Sequence, residues 1–414
     1  MDELAPPAGK TFPSCPGNFS VGDRNVRGEN CGRRLRLVGT ISFTMSAVLA
    51  VNAGSSSLKF ALFGAGDPSP RLLSGNMERI GEPGGPADHA ACVEPLLEQV
   101  AKAGEVIGAI GHRIVHGGPR YLESTRVSPD LLAELRRLSS WDPEHLPSEI
   151  AVIEALARRF PDTPQVACFD TAFHRDLPRV SRILPIPRKY EASGVRRYGF
   201  HGLSYSYLVE QLRREPAGLP QRLVLAHLGN GASVAAVREG RSIDTTMAFT
   251  PTAGLPMSRR AGDIDPGLVA YLARTEGMTA EGFDEMVTAK SGLLGISETS
   301  SDVRDLLQRE KDDVRATEAL AVFCYRVKQA IGAFAAALGG LDSVVFSGGI
   351  GEHSAEIRAR IVDGLEFLGI VLDPVRNAAH AGVITRDDSR VRGRVMRTDE
   401  ESEIVRSTRE VLKK

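Results

Sequence analysis

Three consecutive serines and a lysine follow an apolar run, in the stretch VNAGSSSLKF from Val51 to Phe60. The preceding run Ala47–Ala50 predicts a strand, and Gly54 with the serines predicts a turn, here named the serine turn (residues 54–57). Two interpretations of the serine turn are open at this point. It is either a plain connection between strands, or a phosphate site in which backbone N–H groups, hydroxyls and Lys59 face an anion.

Two more glycine-containing turns follow apolar strands further along the chain. The stretch RLVLAHLGNGASVAAVREG, residues 222–240, repeats the order strand, small-residue turn, strand. This repeat indicates a duplicated domain with two turns facing each other across a cleft, although two unrelated hairpins are the alternative. The third turn, Gly348–Glu352, lies between the strand SVVFS and a helix predicted from Ser354, an arrangement typical of nucleotide binding. Its glycine spacing is that of neither a Rossmann dinucleotide site nor a P-loop.

Length and composition bound the class of protein. A chain of 414 residues is too long for one compact core, so we expect two domains. Strand-like and helical segments alternate from Ser46 onward, which predicts an α/β protein. A formal net charge of -1 gives no indication of a nucleic-acid partner. The five cysteines include no CxxC pair, so we expect neither a zinc site nor a disulfide framework, and a cytoplasmic location fits best.

Two apolar stretches imitate membrane or export signals. Ala319–Leu338 is interrupted by Arg326 and Lys328 and followed by two glycines, so it predicts a buried helix with a glycine stop, and no membrane partner. Residues 33–53 have the arginines, apolar run and small residues of a secretory signal, but cleavage there would remove the strand before the serine turn. We therefore expect residues 1–44 to be a disordered leader and the folded protein to begin at Met45.

A series of motifs in this order resembles the acetate kinase family of the actin-like ATPase and sugar kinase superfamily: NAGSSSLKF, GHRIVHGG, FDTAFH, RRYGFHGLSYSYL, HLGNGAS, GDIDPG and SGGIGE. The resemblance extends from Met45 to about Val411. It implies an α/β fold of two duplicated actin-like (ribonuclease H-like) domains that flank a nucleotide cleft. The implied N-terminal domain is 45–170, joined by the C-terminal segment 396–414, and the nucleotide-binding domain is 171–395.

The resemblance also implies an activity. A homodimeric cytoplasmic enzyme would transfer a phosphoryl group reversibly and in line from ATP to acetate, with Mg²⁺ or, as a substitute, Mn²⁺. A kinase of propionate or another short-chain carboxylate is the alternative within the enzymes. A nucleotide-binding regulatory protein without turnover is the alternative from another class, and the retention of the family's catalytic residues argues against it.

Arg113, Asp170, His201 and Arg260 match the catalytic positions of the family. The two arginines are expected to hold the acceptor carboxylate or the moving phosphoryl oxygens, because a guanidinium binds planar oxyanions in bidentate fashion. His201 matches the histidine that stabilises the transition state. Asp170 is expected to orient Arg113 or the acceptor, or to join a Mg²⁺–water network. It is not expected to act as a base, since a carboxylate acceptor is already ionised at neutral pH.

Other matched positions imply binding roles. Asn52 and Glu400 match the magnesium positions. The acceptor pocket is expected from Arg113, Val115, His145, Phe200 and Pro251. The positions expected to bind ATP are Ser55, Ser57, Lys59, His227, Leu228, Gly229, Asn230, Gly231, Asp302, Val303, Arg304, Gly349, Ile350, Gly351, Glu352 and His353, the last replacing an asparagine of the family.

Some positions near the acceptor pocket depart from the family pattern. His145 lies in DPEHLPSE where the family has LHNP, and Glu144 replaces a leucine that lines the methyl pocket. Ser258-Arg259 replaces Gly-Thr before the catalytic arginine. A carboxylate buried alone against a methyl group would be costly, so one hypothesis pairs Glu144 with Arg259 at the acceptor mouth. The alternative is that Glu144 faces water.

Overall fold

Apolar runs in both halves of the chain form two mixed β-sheets in the computed structural model, which describes residues 47–54, 56–66 and 68–414. The expected leader and Ser55 lie outside the described residues. The first sheet contains β1 (Ala47–Ala53), β2 (Ser57–Phe63), β3 (Arg71–Glu78), β4 (Ile107–Ile114), β5 (Thr125–Arg126) and β6 (Gln165–Phe169). The second sheet contains β7 (Arg222–Leu228), β8 (Ala232–Arg238), β9 (Arg241–Thr245), β10 (Ser343–Ser347) and β11 (Arg392–Val395).

Helices occupy the segments between the strands and pack on the sheets. Short 3₁₀ turns are formed by Ala90–Cys92, Ala172–His174 and Glu366–Leu368. The helices are α1 (Val93–Ala101), α2 (Pro129–Leu138), α3 (Leu146–Arg159), α4 (Arg179–Arg182), α5 (Arg188–Ala192), α6 (Gly202–Arg214), α7 (Gly267–Glu276), α8 (Ala280–Ala289), α9 (Gly292–Ser297), α10 (Val303–Arg309), α11 (Val314–Leu338), α12 (Gly348–His353), α13 (Ala355–Val362), α14 (Pro374–Ala378) and α15 (Glu400–Lys413).

The two sheets repeat one topology. The first has the order β3-β2-β1-β4-β6-β5, and the second the order β11-β10-β7-β8-β9. In each, an antiparallel meander of three strands is continued by two parallel strands: β3-β2-β1 by β4 and β6, and β9-β8-β7 by β10 and β11. The short β5 is added antiparallel to β6 at the edge of the first sheet. The predicted duplication is therefore confirmed at the level of strand order and direction.

The central strands are apolar throughout because both faces of each sheet are covered. All residues of β1 are buried, and so are all residues of β8 except Arg238. Strands covered on both faces are near-continuous apolar runs without polar alternation. This burial fixes the position of the turns that follow the strands, so the serine turn after β1 and the turn after β7 start from rigid elements.

The C-terminal helix returns to the first sheet. Ile404 and Val405 of α15 pack with Val48 and Ala109 in one apolar cluster. Gly111 in β4 permits this close approach, because a methyl group added there would lie 2.2 Å from Thr408 Oγ1 and 2.5 Å from Ile404 Cγ2. The first residue of α15, Glu400, is thereby held beside the end of β1. The domain boundaries remain predictions, since the largest apolar cluster continues from the first sheet into the second.

Helix α11 is the only helix in the described part of the chain that is long and apolar enough, by length and composition alone, to cross a membrane. One side of it, including Leu320, Phe323 and Ile331, lies in the apolar core. It ends at Gly339, whose φ of 70° is favourable for glycine and stops the helix. The predicted buried helix and its glycine stop are thus observed, although the helix begins at Val314 instead of Ala319.

Local signals for helix starts agree with the structure, with one difference. The Ser128 hydroxyl accepts a hydrogen bond from Leu131 N at 3.2 Å, and Ser354 caps α13 in the same way. The third glycine turn was expected as a turn before that helix. Instead, these residues form a short helix of their own, α12. Gly348 begins this helix with φ of 75°, and a side chain does not fit there because an added Cβ would lie 2.7 Å from the Leu228 carbonyl oxygen.

We predict that Gly111→Ala destabilises the protein by about 1–3 kcal/mol, because the added methyl overlaps α15. Urea unfolding followed by circular dichroism measures the free energy of unfolding. Gly332→Ala in α11 is the matched control: its added methyl meets no atom within 4 Å, and alanine is the better helix former. Adding Thr408→Ala to Gly111→Ala should recover part of the loss. Equal stability of Gly111→Ala and wild type would disprove the close packing of α15 on β4.

Candidate active site

Side chains from both sheets meet beside the serine turn and the turn after β7. The loop and helix that follow β6 add an aspartate and a histidine, and the start of α15 adds a carboxylate. The residues concerned are Asn52 at the end of β1, Arg113 in β4, Asp170 after β6, His201 at the start of α6, Arg260 in the loop before α7, and Glu400.

Arg113 is fixed on three sides. Its Nε and Nη2 donate to Asp170 Oδ2 at 3.0 and 2.7 Å, and its Nη1 donates to the Ala53 carbonyl oxygen at 3.0 Å. The same Nη1 lies 3.8 Å from Glu149 Oε1. Burial alone would lower the pKa of Arg113, but the neighbouring carboxylates hold it above its ordinary value. The guanidinium is therefore charged and preorganised before any ligand binds.

Asp170 is buried and has one oxygen to spare. Burial raises the pKa of Asp170 to about 6. The effect of burial, together with the smaller effect of the Glu400 charge, outweighs the stabilisation of the carboxylate by Arg113. Asp170 Oδ1 has no hydrogen-bond partner in the described part of the chain. Of the roles expected for Asp170, the orientation of Arg113 is the one for which the structure shows direct contacts. Its spare oxygen faces no protein donor and is available to a ligand or to water.

Glu149 belongs to this arrangement and was missed by the sequence analysis. Only 2% of it is exposed, and both of its carboxylate oxygens accept from Val115 N, at 3.2 and 3.0 Å. Burial raises its pKa to about 8 against the opposing effect of Arg113. A usable signal was present, since Glu149 interrupts the apolar face that Leu146, Ile150 and Ile153 form on α3. A charged residue on a buried helical face requires a partner.

His201 adopts a left-handed backbone conformation with φ of 57°, which is uncommon for a residue with a side chain. Its ring stacks on His227 with centroids 4.2 Å apart, and its Nδ1 is 2.9 Å from Ser233 Oγ. The pKa of His201 lies well below its ordinary value because of burial first, and then because of the nearby His227 and both arginines. His201 is therefore a neutral histidine beside two cations.

Arg260 is held differently from Arg113. Its Nη1 donates to the Pro251 carbonyl oxygen at 3.4 Å, and its Nη2 is 3.5 Å from His145 Nε2. It forms no ion pair with any carboxylate among the described residues. Burial lowers the pKa of Arg260 below its usual range, and the charge of Arg113 acts in the same direction. Among the described residues, no carboxylate is directly paired with this cation, and Glu144 and Asp142 act on it only through space.

The residues expected to form the apolar wall of the acceptor pocket are buried. Val115 and Phe200 are each 1% exposed and belong to the same apolar cluster, and Pro251 is buried next to Arg260 through its carbonyl group. His145 is 5% exposed and contacts Arg260 as described. Of the residues expected to bind the acceptor, Pro251 and His145 contact Arg260 directly, whereas the pocket itself stays a prediction.

The hypothesis that Glu144 pairs with Arg259 is wrong. Both side chains are exposed, and no ion pair joins them in the described structure. Glu144 lines a surface groove with Glu281 and Asp284 of α8. The turn before α3 points Asp142 and His145 inward, so Glu144 between them points outward, and the alternative that it faces water is correct. Ser258 contacts the turn after β7 instead, with Ser258 N donating to the Asn230 carbonyl oxygen at 3.2 Å.

The turn after β7 lies against His201 and Arg260. An added Cβ on Gly231 would be 3.1 Å from His201 Nε2 and 3.8 Å from Arg260 Nη1. Gly229 is close to α12, where Gly349 N would lie 3.9 Å from its added Cβ. His227 is fixed by a contact of 2.8 Å between its Nδ1 and Ser204 Oγ. Leu228 is buried and Asn230 is exposed.

In the serine turn, Gly54 N donates to the Ser57 carbonyl oxygen at 2.8 Å. Lys59 is exposed and pairs in register with Asn52 across β1 and β2. Its charge lowers the pKa of His227, after the larger effect of burial. The serine turn thus lies near the turn after β7. Ser55, which lies outside the described residues, is not placed.

Helix α12 offers open backbone at its start and is fixed from below. Gly349 is exposed, and an added Cβ would meet no atom within 4 Å. Glu352 turns inward, where its Oε1 accepts from Gly348 N at 2.9 Å and from Thr398 N at 3.1 Å. Its carboxylate therefore closes the helix start, while Ile350 is half-buried, Gly351 buried and His353 exposed.

Arg358 is a second residue that the sequence analysis missed. It is completely buried, and its Nη1 donates to the carbonyl oxygens of Gly351 and Glu352, each at 2.9 Å. Its other hydrogen bonds go to Asn377 and His380, so none of its partners is a carboxylate. Burial lowers its pKa to about 10. This guanidinium fixes the C-terminal end of α12, the helix that directly follows β10.

The remaining expected nucleotide positions, Asp302, Val303 and Arg304, form the start of α10. Asp302 accepts from Arg304 N at 2.8 Å and pairs with the Arg304 guanidinium at 2.6 Å. Val303 is buried in the core. In the described part of the chain, no hydrogen bond or ion pair links this group to the other expected nucleotide positions.

The oxygen-rich corner at the end of β1 suits a hard cation. Asn52 Nδ2 donates to Glu400 Oε2 at 2.8 Å and to Glu401 Oε1 at 3.4 Å. The Asp170 carboxylate is close enough to Glu400 for the charge of Glu400 to raise its pKa, after the larger effect of burial. No group of three or more His, Cys, Asp or Glu residues in the described chain forms a metal cluster. Sparse oxygen donors of this kind fit Mg²⁺, which keeps several waters and takes other ligands from phosphates.

Comparisons with known proteins place this geometry in a family. The model of the Acetokinase family matches residues 82–406. Acetate kinase of Bacillus subtilis (strain 168) is 42% identical over 391 residues, which cover 87% of this chain and 98% of that protein. The crystal structure of Porphyromonas gingivalis acetate kinase is 36% identical, with a TM-score of 0.80 over 89% of this chain and 100% of that one. A propionate kinase from Francisella tularensis subsp. tularensis SCHU S4 is 35% identical, with a TM-score of 0.83 and the same coverages.

The predicted resemblance is thereby confirmed, and the two sheets of equal topology are the duplicated halves of the actin-like fold. The family match extends over most of the chain, and the similar sequences and structures cover 87% and 89% of it. This chain belongs to the acetokinase family.

Proposed function

We propose that the protein transfers the γ-phosphoryl group of ATP reversibly to the carboxylate of acetate, giving acetyl phosphate and ADP. The observation that carries this proposal is the pair of cations Arg113 and Arg260 around the neutral His201. Arg260 has no carboxylate partner within the described chain and lies close enough to Arg113 to lose proton affinity. An oxyanion between them would complete the charge balance, which is what the transferring phosphoryl group and the acceptor supply.

Positioning and electrostatic stabilisation carry the reaction in this proposal. The acceptor carboxylate is ionised at neutral pH, so no general base is needed. Arg113, held by Asp170 and Ala53, orients the acceptor against the wall formed by Val115 and Phe200. Arg260 then stabilises the charge that spreads over the equatorial oxygens of the phosphoryl group in the transition state.

His201 contributes a neutral hydrogen-bond donor. The Tyr205 hydroxyl is 2.5 Å from Ser233 Oγ, and Ser233 Oγ is 2.9 Å from His201 Nδ1. If each hydroxyl donates to the next acceptor, Nδ1 accepts and Nε2 carries the hydrogen. That Nε2–H lies beside Gly231 and faces the same region as Arg260. It would donate to a phosphoryl oxygen as negative charge develops there.

The three turns hold the nucleotide in this proposal. Ser55 and Ser57 of the serine turn, Lys59 of β2 and the residues from His227 to Gly231 bind the phosphates, while α10 and α12 contact the adenosine. Asn52 and Glu400 would hold Mg²⁺, or Mn²⁺ in its place, with Asp170 facing its waters. When bound, the cation neutralises charge on the β- and γ-phosphates.

Acceptor choice between acetate and propionate is not decided by the family, since one similar structure is that of a propionate kinase. The described cysteines Cys92, Cys168 and Cys324 are free and buried, which supports a reducing, cytoplasmic location. The absence of nucleic-acid and membrane partners remains a prediction from composition.

The proposed function is tested by trapping the product. Purified protein with Mg²⁺, ATP, acetate and hydroxylamine should form acetohydroxamate in proportion to the ADP released, and both should disappear without Mg²⁺. Propionate in place of acetate measures acceptor preference as the ratio of kcat/KM values. ADP release without hydroxamate, or nucleotide binding without turnover, would instead favour an ATPase or the regulatory alternative.

We predict that Arg113→Ala and Arg260→Ala each lower kcat by about 10³-fold or more, by analogy with arginine fingers in phosphoryl transfer. Binding of ADP, measured by calorimetry, should change little because neither side chain is assigned to the nucleotide. Arg259→Ala is the matched control, since this neighbouring arginine is exposed. A loss of less than about tenfold in either variant would refute the role given to that arginine.

We also propose that the homodimer forms through α7. This helix has no buried residue, although Leu268, Val269 and Tyr271 are apolar and exposed, and Ile264 just before it is exposed as well. A contiguous apolar face of this kind marks an association surface. The proposal commits to a second copy of the chain because no other partner is implied by the family.

Sedimentation equilibrium should give about twice the chain mass of 44.5 kDa. Replacing both Leu268 and Val269 by aspartate should shift the protein to the monomer, because charges would have to be buried in the interface. The control is Val180→Asp, which alters an apolar residue that is 87% exposed elsewhere on the surface. A monomeric wild type, or an aspartate variant that remains dimeric, would disprove the assignment of α7.

A further inference from the structure

The hydrogen bonding of His145 is determined from both sides of its ring. On one side, Nε2 is 3.5 Å from Arg260 Nη2, and a guanidinium only donates. On the other side, Nδ1 is 2.8 Å from Asp142 Oδ1, and an ionised carboxylate only accepts. The two contacts agree on one tautomer, with the hydrogen on Nδ1 and the lone pair of Nε2 directed at Arg260.

Asp142 is built to make this contact. It is 4% exposed, and its Oδ1 also accepts from His145 N at 3.2 Å, which fixes the carboxylate against the turn before α3. Burial alone would raise the pKa of Asp142, but the hydrogen bond from His145 and, from further away, the charge of Arg260 hold it below its ordinary value. Its Oδ2 has no partner in the described chain. A buried carboxylate that stays ionised with one oxygen unsatisfied costs folding free energy. Such a cost suggests that Asp142 has a role beyond stability.

We propose that Asp142 is a positioning residue for phosphoryl transfer, which locks His145 in the Nδ1–H tautomer so that Nε2 holds Nη2 of Arg260. Nη1 of Arg260, next to Gly231 and His201, is then free to meet the oxyanion. The chain Asp142–His145–Arg260 takes the place of the direct carboxylate contact that Asp170 makes with Arg113. The inference rests on the proposed function, because it gives Arg260 its task in that reaction.

Glu144 separates orientation from simple charge. Through space, the Glu144 carboxylate raises the pKa of Arg260 more than the Asp142 carboxylate does, although burial lowers this pKa overall. Yet Glu144 is exposed, and its side chain makes no hydrogen bond to the His145 ring in the described structure. If Asp142 acted only as a negative charge near Arg260, removing either carboxylate would have a similar effect. If it acts through the imidazole, only Asp142 matters.

The kinetic test compares Asp142→Asn with Glu144→Gln in the full-length protein. Asparagine can turn its NH₂ group toward Nδ1 and favour the other tautomer, whose Nε2–H would oppose the Arg260 N–H. We expect kcat to fall about 10- to 100-fold in Asp142→Asn, as for groups that orient a functional histidine, with KM for ATP within about twofold. Glu144→Gln should stay within about twofold in kcat. Equal losses in the two variants would overturn the proposal.

A spectroscopic test does not depend on turnover. Long-range ¹H–¹⁵N NMR spectra of the protein labelled with ¹⁵N-histidine distinguish protonated from unprotonated ring nitrogens, and His145→Gln identifies the signals of His145. Wild type should show hydrogen on Nδ1, and Asp142→Asn should move it wholly or partly to Nε2. Hydrogen on Nε2 in the wild type would overturn the proposal even if Asp142→Asn failed to fold.

A double-mutant cycle tests whether Asp142 acts through the His145 imidazole. In the His145→Ala background, Asp142→Asn should cause no further loss in kcat, because its effect acts through the imidazole. A further loss of tenfold would show a separate role for Asp142 and refute the chain of contacts. A wild-type protein without acyl phosphate formation would refute the proposed function, whereas the tautomer of His145 would still be decided by the NMR spectra.

Discussion

The ion pair between Arg113 and Asp170 is the interaction on which the site depends. It joins β4 to the loop after β6, while the same guanidinium donates to the Ala53 carbonyl oxygen at the end of β1. Three adjacent strands of the first sheet are therefore tied together at the point where the serine turn begins. Asp170 and the neighbouring Glu149 are buried, and the positive charge of Arg113 offsets part of the free-energy cost of burying them.

The second arginine shows the opposite solution to the same constraint. Arg260 contacts a carbonyl oxygen and a histidine, and no carboxylate in the described chain neutralises it. A partly buried cation without a directly paired carboxylate is unfavourable in the free protein and becomes favourable when an oxyanion binds. The two arginines therefore differ before any ligand binds: Arg113 is paired with Asp170, whereas Arg260 has no directly paired carboxylate in the described chain.

The duplicated fold explains why these parts come together. In both halves a tight turn joins the first two strands of the three-stranded meander, and parallel strands continue the sheet beside it. Asp170 follows β6 in the first half, and α12 with its open backbone follows β10 in the second. The close contact of Gly111 with α15 brings Glu400 to Asn52, although 348 positions separate them in the chain. Arg358 does comparable work in the second half, where it fixes α12 through the carbonyl oxygens of Gly351 and Glu352.

The sequence by itself determined what depends on local chemistry. Apolar runs predicted the strands, Ser128 and Ser354 the helix starts and Gly339 the end of α11, because caps and glycine conformations act within a few residues. Matched motifs identified the family and supplied the positions proposed as catalytic. The tertiary structure alone decided which charges are buried and which partners they have. Glu144 faces water, Asp142 contacts His145 and Glu149 lies beside Arg113, because packing of the turn and of α3 sets these directions.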